Sequence, residues 1–575
     1  MNSRKWEVSY KQEVKNKKEI VRVLLENRKI KTEKEKKEFF NPTPPEKLSV
    51  KSLSISQNEI NKAIKRIKKA LKTKEKVIVY GDYDADGICG TAILWETLYS
   101  LGLNVLPYIP ERFTEGYGLN AESIKNLKLQ DPNLKLIITV DHGIVARKKV
   151  DVARELGIDV IITDHHEPHT ALTSSRGLRP RVGGASMRGK PGYIYPKALA
   201  IVHTQKISGS AVAWILSREI AKKFNHQPWA ISCQLELAAI GTIADQLPLV
   251  GPNRAFAKYG LLALQKTKRA GLKALFEKAA IVPEDIGPYE VGFLIAPRLN
   301  AMGRLEHAMQ SLRLLCTKDG GRATKLANDL NRVNLERQKI VDEVVAHARK
   351  KVSQKTLDKI IVLAHSSYHE GVIGLAAGKL VEEFYRPAIV FSEKKEISKA
   401  SARSISGFNI IEAIRQLEDL YIEGGGHPMA AGFSIKTALI GKFSKRLNEI
   451  AKPLLTDEIL TKTLKIDLEV HFNQLNRELL DLIESFEPTG LGNPAPTFAT
   501  KDVLVEDVRA VGRGGKHLKL KLGQNSCVFD AIAFGVGELF GSIARDSKID
   551  IAYALEENTW NGNKKIQLKI RDIKV

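Results

Sequence analysis

The feature that most constrains this chain is a series of short β-branched runs, each ending in carboxylates and separated from the next by a helix-like stretch. Val77-Ile78-Val79-Tyr80 leads into Gly81-Asp82-Tyr83-Asp84-Ala85-Asp86, the run from Leu134 to Val140 into Asp141, and Val160-Ile161-Ile162-Thr163 into Asp164-His165-His166. Helical patterns lie between them, from Thr91 to Leu101 and from Ala146 to Leu156. Apolar strands alternating with helices predict a parallel sheet covered on both faces. Such sheets gather ligands beyond the carboxyl ends of their strands. A fourth acidic position, Asp245, follows the apolar segment 237–244 and is expected at a fourth strand end.

That many carboxylates converging at one sheet edge would repel one another in a partly desolvated pocket, so cations are required there. Oxygen ligands mixed with imidazole, without thiolate, point to Mn²⁺ or Mg²⁺ rather than to structural zinc. Two such ions, about 3.5–4 Å apart, suit hydrolysis of a phosphodiester by an activated water. Asp141 is the candidate to bridge them. Taken alone, Asp82-Tyr83-Asp84 is equally compatible with turn chemistry after a strand. The convergence of four groups is what favours a metal centre.

At 575 residues the chain exceeds what one hydrophobic core supports, so several domains are expected. Lys and Arg total 90 against 66 for Asp and Glu, and the net charge of +24 favours polyanions, nucleic acid first among them. The four cysteines (Cys89, Cys233, Cys316 and Cys527) have neither metal-pair nor disulfide spacing. No apolar stretch approaches the roughly 18 residues that would span a bilayer. These features place the chain in the cytoplasm, with no membrane partner.

Along the chain, residues 1–70 read as a basic helical segment, with Ile60, Ala63, Ile64 and Ile67 forming one stripe. Residues 71–255 hold the parallel sheet, and 256–352 a helical region ending in a long connecting helix. A second α/β domain is expected over 353–450 and a small β-barrel over 451–575, where His517 to Leu522 alternates in polarity. Residues 171–198 are rich in Gly, Arg, Pro and Ser and read as a mobile surface insertion.

These motifs, in this order, resemble the DHH phosphoesterase family: Gly81 to Gly87, Asp141-His142-Gly143, Asp164-His165-His166 and Gly241-Thr242-Ile243-Ala244-Asp245. Ser401-Ala402-Arg403-Ser404 and Gly424-Gly425-Gly426-His427 resemble the domain that accompanies it. Within the family, Glu111 to Gly118, Ala296 to Arg304 and Glu487 to Pro494 are similar to the RecJ-like exonucleases, and the likeness runs from about residue 70 to the C-terminus. It implies metal-site positions at Asp82, Asp84, Asp86, Asp141, Asp164, His165, His166 and Asp245, with the division between two ions left open. It also implies catalytic roles at Asp141, His165, His166 and His427, and 5′-to-3′ digestion of single-stranded DNA to mononucleotides in repair and recombination. A single-strand-binding protein and a RecQ-type helicase are the partners it implies, and the chain is expected to act as a monomer. His203-Thr204 departs from the family's usual Asn-Pro, and the insertion replaces a short connection.

Arginine, with its planar fork of donors, suits recognition of a terminal phosphate. Arg112, Arg298, Ser401 and Arg403 match the family's phosphate contacts, and Gly425 and Gly426 would let backbone N–H groups approach a phosphate beside His427. Read without the family, the glycines are a turn and Arg298 and Arg304 are surface or ion-paired residues. Asn334 and Arg337 decorate one face of the long helix and stay outside the active site. A C-terminal OB-like barrel would bind single strands through Arg509, Arg513, Lys516, Lys519 and Lys521, with Phe529, Phe534 and Trp560 as stacking candidates. Two further readings stay open: a relative cleaving oligonucleotides, cyclic dinucleotides or pyrophosphate, and a catalytically silent DNA-binding scaffold of a replicative helicase.

Overall fold

The computed structural model describes residues 4–14, 16–169, 192–225, 234–353, 358–560 and 563–575. Two compact units emerge, one comprising 32–334 and 487–494, the other 1–31, 335–486 and 495–575. Most of the insertion noted in the sequence, 171–191, lies outside the described residues.

The first unit is built on five parallel strands in the order Val105–Tyr108, Lys76–Tyr80, Leu134–Val140, Asp159–Asp164, Ala200–His203. The side-chain period of two divides the sheet cleanly. Val77, Val79, Leu136, Ile138, Val140 and Ile161 enter a large core with the helices Ala85–Ser100 and Gly209–Lys223. Ile78, Tyr80, Ile137, Val160 and Ile162 face the opposite way, onto Ile124, Val150 and Ala153 of two further helices. Chain order reverses between Lys76–Tyr80 and Leu134–Val140, which places the topological switch point where Asp82 and Asp141 emerge.

Asp245 departs from expectation: it caps the C-terminus of a helix, Leu235–Ala244, and follows no strand. From Leu237 onward that helix is almost wholly apolar because it is buried on every side, and a short continuous apolar run does not distinguish a buried strand from a buried helix. The helix expected from Thr91 begins at Ala85, because the Asp84 carboxylate accepts from the N–H groups of Asp86 and Gly87 as its N-cap.

The second unit contains a mixed five-stranded sheet in the order Tyr421–His427, Ala430–Lys436, Ile397–Arg403, Ala388–Ser392, Ile361–His365. The glycine-rich segment read as a loop is therefore the edge strand of this sheet, held by antiparallel pairing to Ala430–Lys436. The long helix is present as Gly320–Ser353.

The C-terminal strands Phe498–Val511, His517–Gln524, Cys527–Ala533, Asn563–Lys574 and Lys548–Trp560 pair in that order, and pairing of the last with the first closes a five-stranded barrel. Leu518, Leu520 and Leu522 point inside, while Lys519 and Lys521 are exposed. The N-terminal segment is not helical throughout: Lys5–Tyr10 is a strand running parallel to Thr463–Glu469. Among the described residues no helix is long and apolar enough to cross a membrane.

Candidate metal centre

Backbone N–H groups hold three of the carboxylates at the switch point, two of them by immediate neighbours and the third by a distant helix. Asp82 leaves its strand buried, with Oδ1 accepting from the Tyr83 N–H at 2.8 Å. Asp84 serves as the helix cap described above, and Ala85 N–H donates to Asn300 Oδ1 at 2.7 Å. Asp86, buried in the first turn of that helix, accepts from Gly209 N at 2.7 Å and Ser210 N at 3.0 Å, the first N–H groups of the helix Gly209–Lys223. That helix N-terminus carries partial positive charge and stabilises the carboxylate.

Asp141 and His165 carry the most unusual geometry. Asp141 adopts a left-handed backbone conformation, φ 67°, and its Oδ1 is buried without a hydrogen-bond partner. His165 Nε2 is buried and unpartnered too, and stands 3.1 Å from Asp141 Oδ1, 3.5 Å from Asp245 Oδ2 and 3.9 Å from Asp86 Oδ2. A Cβ on Gly209 would come within 2.3 Å of Asp141 Oδ1, and one on Gly241 within 2.1 Å of Asp86 Oδ1, so both glycines are required by the close approach. Three sets of ligand atoms converge: Asp141 with His165 and His166, Asp86 with His165 and Asp245, and Asp82 with Asp84 and Asp141. Their hard oxygen and imidazole donors fit a divalent cation of the Mn²⁺ or Mg²⁺ type.

Asp164 stands apart from all three sets. Its Oδ1 accepts from His165 N, His166 N and His166 Nδ1, the last at 2.8 Å, and its Oδ2 from Ile144 N. With both oxygens engaged, it orients His166 and fixes the loop. This leaves His166 Nε2 facing Tyr117 Oη at 3.3 Å, and Tyr117 Oη also reaches the Asp141 carbonyl.

The electrostatics carry the mark of an uncompensated cluster. Burial, followed by repulsion from neighbouring carboxylates, raises the pKa of Asp82, Asp84 and Asp141, and pushes Asp245 up to about 8. Asp164 goes the other way: burial opposes its charge, but the bonds from His166 and the backbone outweigh burial and lower its pKa. His166 responds with a pKa of about 9, burial being overcome by the Asp164 bond and charge. Burial lowers His165, and holds the adjacent His142 near 4, where its Nε2–H donates to the Tyr80 carbonyl.

Of the predicted phosphate contacts, Arg112 lies over the Tyr83 ring, 4.9 Å from its centroid. Arg298 is half-buried and donates through Nη1 to the Leu294 carbonyl and through Nε to Asn331 Oδ1. In the second unit, strand register aligns Ser401, Gly432 and Gly425 in one row and Arg403, Ala430 and His427 in the next of the same parity, with Gly426 between them on the edge strand. Arg403 Nη1 is tied to the Ala402 carbonyl and, at 3.4 Å, to Ser401 Oγ, and burial lowers its pKa. In the barrel, Phe529 packs edge-on against buried Phe472 and is a core contact, whereas Phe534 is exposed, with Lys569 near its ring. The side chain of Trp560 lies outside the described residues.

Family models match in three consecutive stretches: the DHH family N-terminal domain over 76–242, the DHHA1 domain over 357–453 and the RecJ OB domain over 466–572. The single-stranded-DNA-specific exonuclease RecJ of Haemophilus influenzae is 31% identical over 534 residues, which cover 89% of this chain and 90% of that protein. The chain belongs to the RecJ family. The RecJ of Bacillus subtilis is 39% identical over 520 residues, and there the match spans 63% of the relative's length. The crystal structure of RecJ in complex with Mn²⁺ from Thermus thermophilus superposes with a TM-score of 0.79 at 28% identity, covering 99% of this chain and 79% of that one.

Sequence reasoning missed three contributors to this RecJ-family site: Tyr117, Asn300 and the N–H pair of Gly209 and Ser210. The last was legible, since Ser208-Gly209-Ser210 before an apolar helical run is a helix-start signal and Ser208 caps that helix. Tyr117 and Asn300 lay within stretches already singled out, but no spacing rule connects them to Asp141 or Ala85.

Proposed function

We propose that this chain is a divalent-metal-dependent exonuclease that hydrolyses single-stranded DNA from the 5′ end to mononucleotides. The observation that carries the reading is the convergent, carboxylate-rich cluster of Asp82, Asp84, Asp86, Asp141, His165, His166 and Asp245, buried at Asp82, Asp86 and Asp141, with Asp141 Oδ1 and His165 Nε2 both lacking partners. These residues would hold the cations, with Asp141, common to two of the three sets, as the bridge. When bound, the cations supply Lewis acidity toward a phosphoryl oxygen and lower the pKa of a water.

The chain's own residues prepare that chemistry. Asp164 holds His166 Nδ1–H, which selects the ring orientation and directs Nε2 at Tyr117 Oη. Gly209 and Ser210 fix the Asp86 side chain through their backbone N–H groups, and the buried walls exclude bulk water, which strengthens every charge interaction inside. Arg112 and Arg298, and in the second unit Ser401, Arg403, Gly425, Gly426 and His427, are our candidates for backbone and terminal phosphate contacts. The exposed Phe534, with Lys519 and Lys521, is the candidate stacking and charge surface of the barrel. A role in DNA repair and recombination, action as a monomer in the cytoplasm, and cooperation with a single-strand-binding protein and a RecQ-type helicase extend the same proposal.

The test is digestion of single-stranded DNA labelled at its 3′ end, with Mn²⁺, comparing a free with a blocked 5′ end. Progressive shortening from the free end alone supports the assignment. Survival of the strand would overturn it and favour a phosphodiesterase acting on short nucleotides.

A further inference from the structure

Asp245 differs from Asp82, Asp84 and Asp86. Backbone N–H groups hold those three, whereas the Asp245 carboxylate accepts no hydrogen bond among the described residues and is 33% exposed. Its position is set by the helix that ends at it, Leu235–Ala244: Asp245 N–H donates to the Gly241 carbonyl at 2.9 Å, and Leu247 N–H to the Thr242 carbonyl at 3.3 Å. Whatever fixes that helix against Asp86 therefore fixes the ligand set of Asp86, His165 and Asp245.

Apolar packing alone supplies no such register, because its attraction has no direction. From Leu237 to Ala244 the one polar side chain is Thr242, and it is fully buried, as are Ser208 and Ser210 at the start of the helix Gly209–Lys223. Ser208 Oγ lies 3.0 Å from both Ser210 Oγ and Thr242 Oγ1. Each hydroxyl has one hydrogen to give, and this orders the three. Thr242 donates to the Ala238 carbonyl at 2.7 Å, so Ser208 donates to Thr242. Ser210 then donates to Ser208, its other acceptor being the same Ala238 carbonyl at 3.4 Å.

The resulting chain of hydrogen bonds crosses from one helix to the other. It starts at Ser210, whose N–H holds Asp86 Oδ1 at 3.0 Å, and passes through Thr242, one turn before Asp245. Gly241 permits this approach, since an added Cβ would fall 2.2 Å from Ser210 Oγ.

We infer that Ser210 and Thr242, joined through Ser208, are positioning residues that hold Asp245 where it shares a cation with Asp86 and His165. Hydrogen bonds are directional, and removing groups that orient metal ligands in this way costs about 10–100-fold in metal affinity. Ser208 also caps its helix by accepting from Ala211 N at 3.2 Å, so the other two residues are the ones to vary. The inference rests on the divalent-metal reading of the site.

The test counts Mn²⁺ bound to the full chain by electron paramagnetic resonance, without DNA, in wild type, Thr242→Val, Thr242→Ser and Ser210→Ala. Thr242→Val keeps the shape and removes the hydroxyl. Ser210→Ala removes the other end of the chain, leaves the N–H on Asp86, and carries the test should Thr242→Val fail to fold. We expect two ions in wild type, one of them weakened about tenfold or more in Thr242→Val and Ser210→Ala with the other unchanged, and wild-type binding in Thr242→Ser. Strand digestion by the two weakened variants should fall at limiting Mn²⁺ and recover at saturating Mn²⁺, with KM for DNA unchanged. Wild-type affinities in both, whatever their Tm, would overturn the inference. So would equal weakening of both ions with a lowered Tm, or Thr242→Ser binding as weakly as Thr242→Val, since either would make the effect one of core packing. A wild type that binds no Mn²⁺ would overturn the proposed function and this inference together, whereas the expected Mn²⁺ pattern without strand digestion would strike the exonuclease reading alone.

Discussion

Two buried charge clusters in the first unit differ in one respect. Around Arg269, whose Nε donates to Glu236 at 2.7 Å and whose Nη1 and Nη2 reach Glu96 at 2.6 and 2.8 Å, two carboxylates share one guanidinium. Burial alone would lower Arg269, but its bonds and attraction to the two glutamates raise it instead; Glu236 rises with burial, and Arg269 restrains the shift. At the switch point five aspartates face one another with two histidines, and attraction to Arg112 and Arg304 offsets only part of the burial and mutual repulsion that raise Asp82 and Asp84. The first cluster is balanced within the protein, whereas the second keeps raised carboxyl pKa values that a bound cation would relieve. Buried carboxylates therefore indicate a site when their compensation is absent from the chain, and a scaffold when it is present.

The largest effect expected from this difference is functional. Asp141→Ala should lower exonuclease activity about 10³–10⁴-fold, roughly 4–5 kcal/mol of transition-state stabilisation, while the metal-free variant unfolds at a Tm no lower than wild type because it removes a buried carboxyl group whose Oδ1 has no hydrogen-bond partner. A marked loss of Tm would show that Asp141 is structural. Arg269→Ala should do the reverse, costing about 3–4 kcal/mol of stability by stranding Glu96 and Glu236, with kcat of the folded fraction unchanged when measured below its Tm.

A smaller effect is the response to metal. Mn²⁺ at about a hundred times its Kd should stabilise the wild type by about 2.7 kcal/mol in thermal melts, and Asp141→Ala by much less. The same melts carry a pH signature. Asp245, with a folded pKa of about 8, and Asp82, Asp84 and Asp141, also raised, bind protons more tightly in the folded than in the unfolded state. Between the ordinary carboxylate range and about pH 8 the unfolded state then holds fewer protons, so stability in EDTA should fall as pH rises. Mn²⁺ should flatten or reverse that slope, since the cation competes with those protons; a metal-free stability that climbs steadily to pH 8 would contradict the uncompensated cluster. The smallest change is Glu236→Gln, which keeps a hydrogen-bonding partner for Arg269 and should cost about 1–2 kcal/mol in urea melts with activity intact.

The switch-point side of this contrast was legible before the fold was known, and the Arg269 cluster was not. The apolar runs ending at Tyr80, Val140 and Thr163 fell within one residue of the strand ends, because β-branched runs bounded by turn residues leave little choice of register. Asp245 was placed correctly relative to its neighbours in sequence but on the wrong kind of element, since Leu235–Ala244 is buried on all sides and shows no period. The glycine strand Tyr421–His427 was hidden because glycine has no side-chain preference for a sheet, and only pairing with Ala430–Lys436 makes it one. The strand Lys5–Tyr10 was hidden for a related reason: its partner, Thr463–Glu469, lies far away along the chain, where no local pattern can signal it.

What the sequence determined by itself was the alternation that yields a parallel sheet, the identity of the acidic and imidazole groups at its edge, and hence the need for cations. Those are local patterns, written in strand and helix periods and in side-chain chemistry. Only the tertiary structure decided that Asp164 orients His166, that Asp86 rests on the N-terminus of a helix 123 residues further on, and that Asp141 Oδ1 and His165 Nε2 are left without partners. Hydrogen-bond satisfaction is a property of the packed chain: whether a buried donor or acceptor finds a partner depends on which distant backbone arrives beside it.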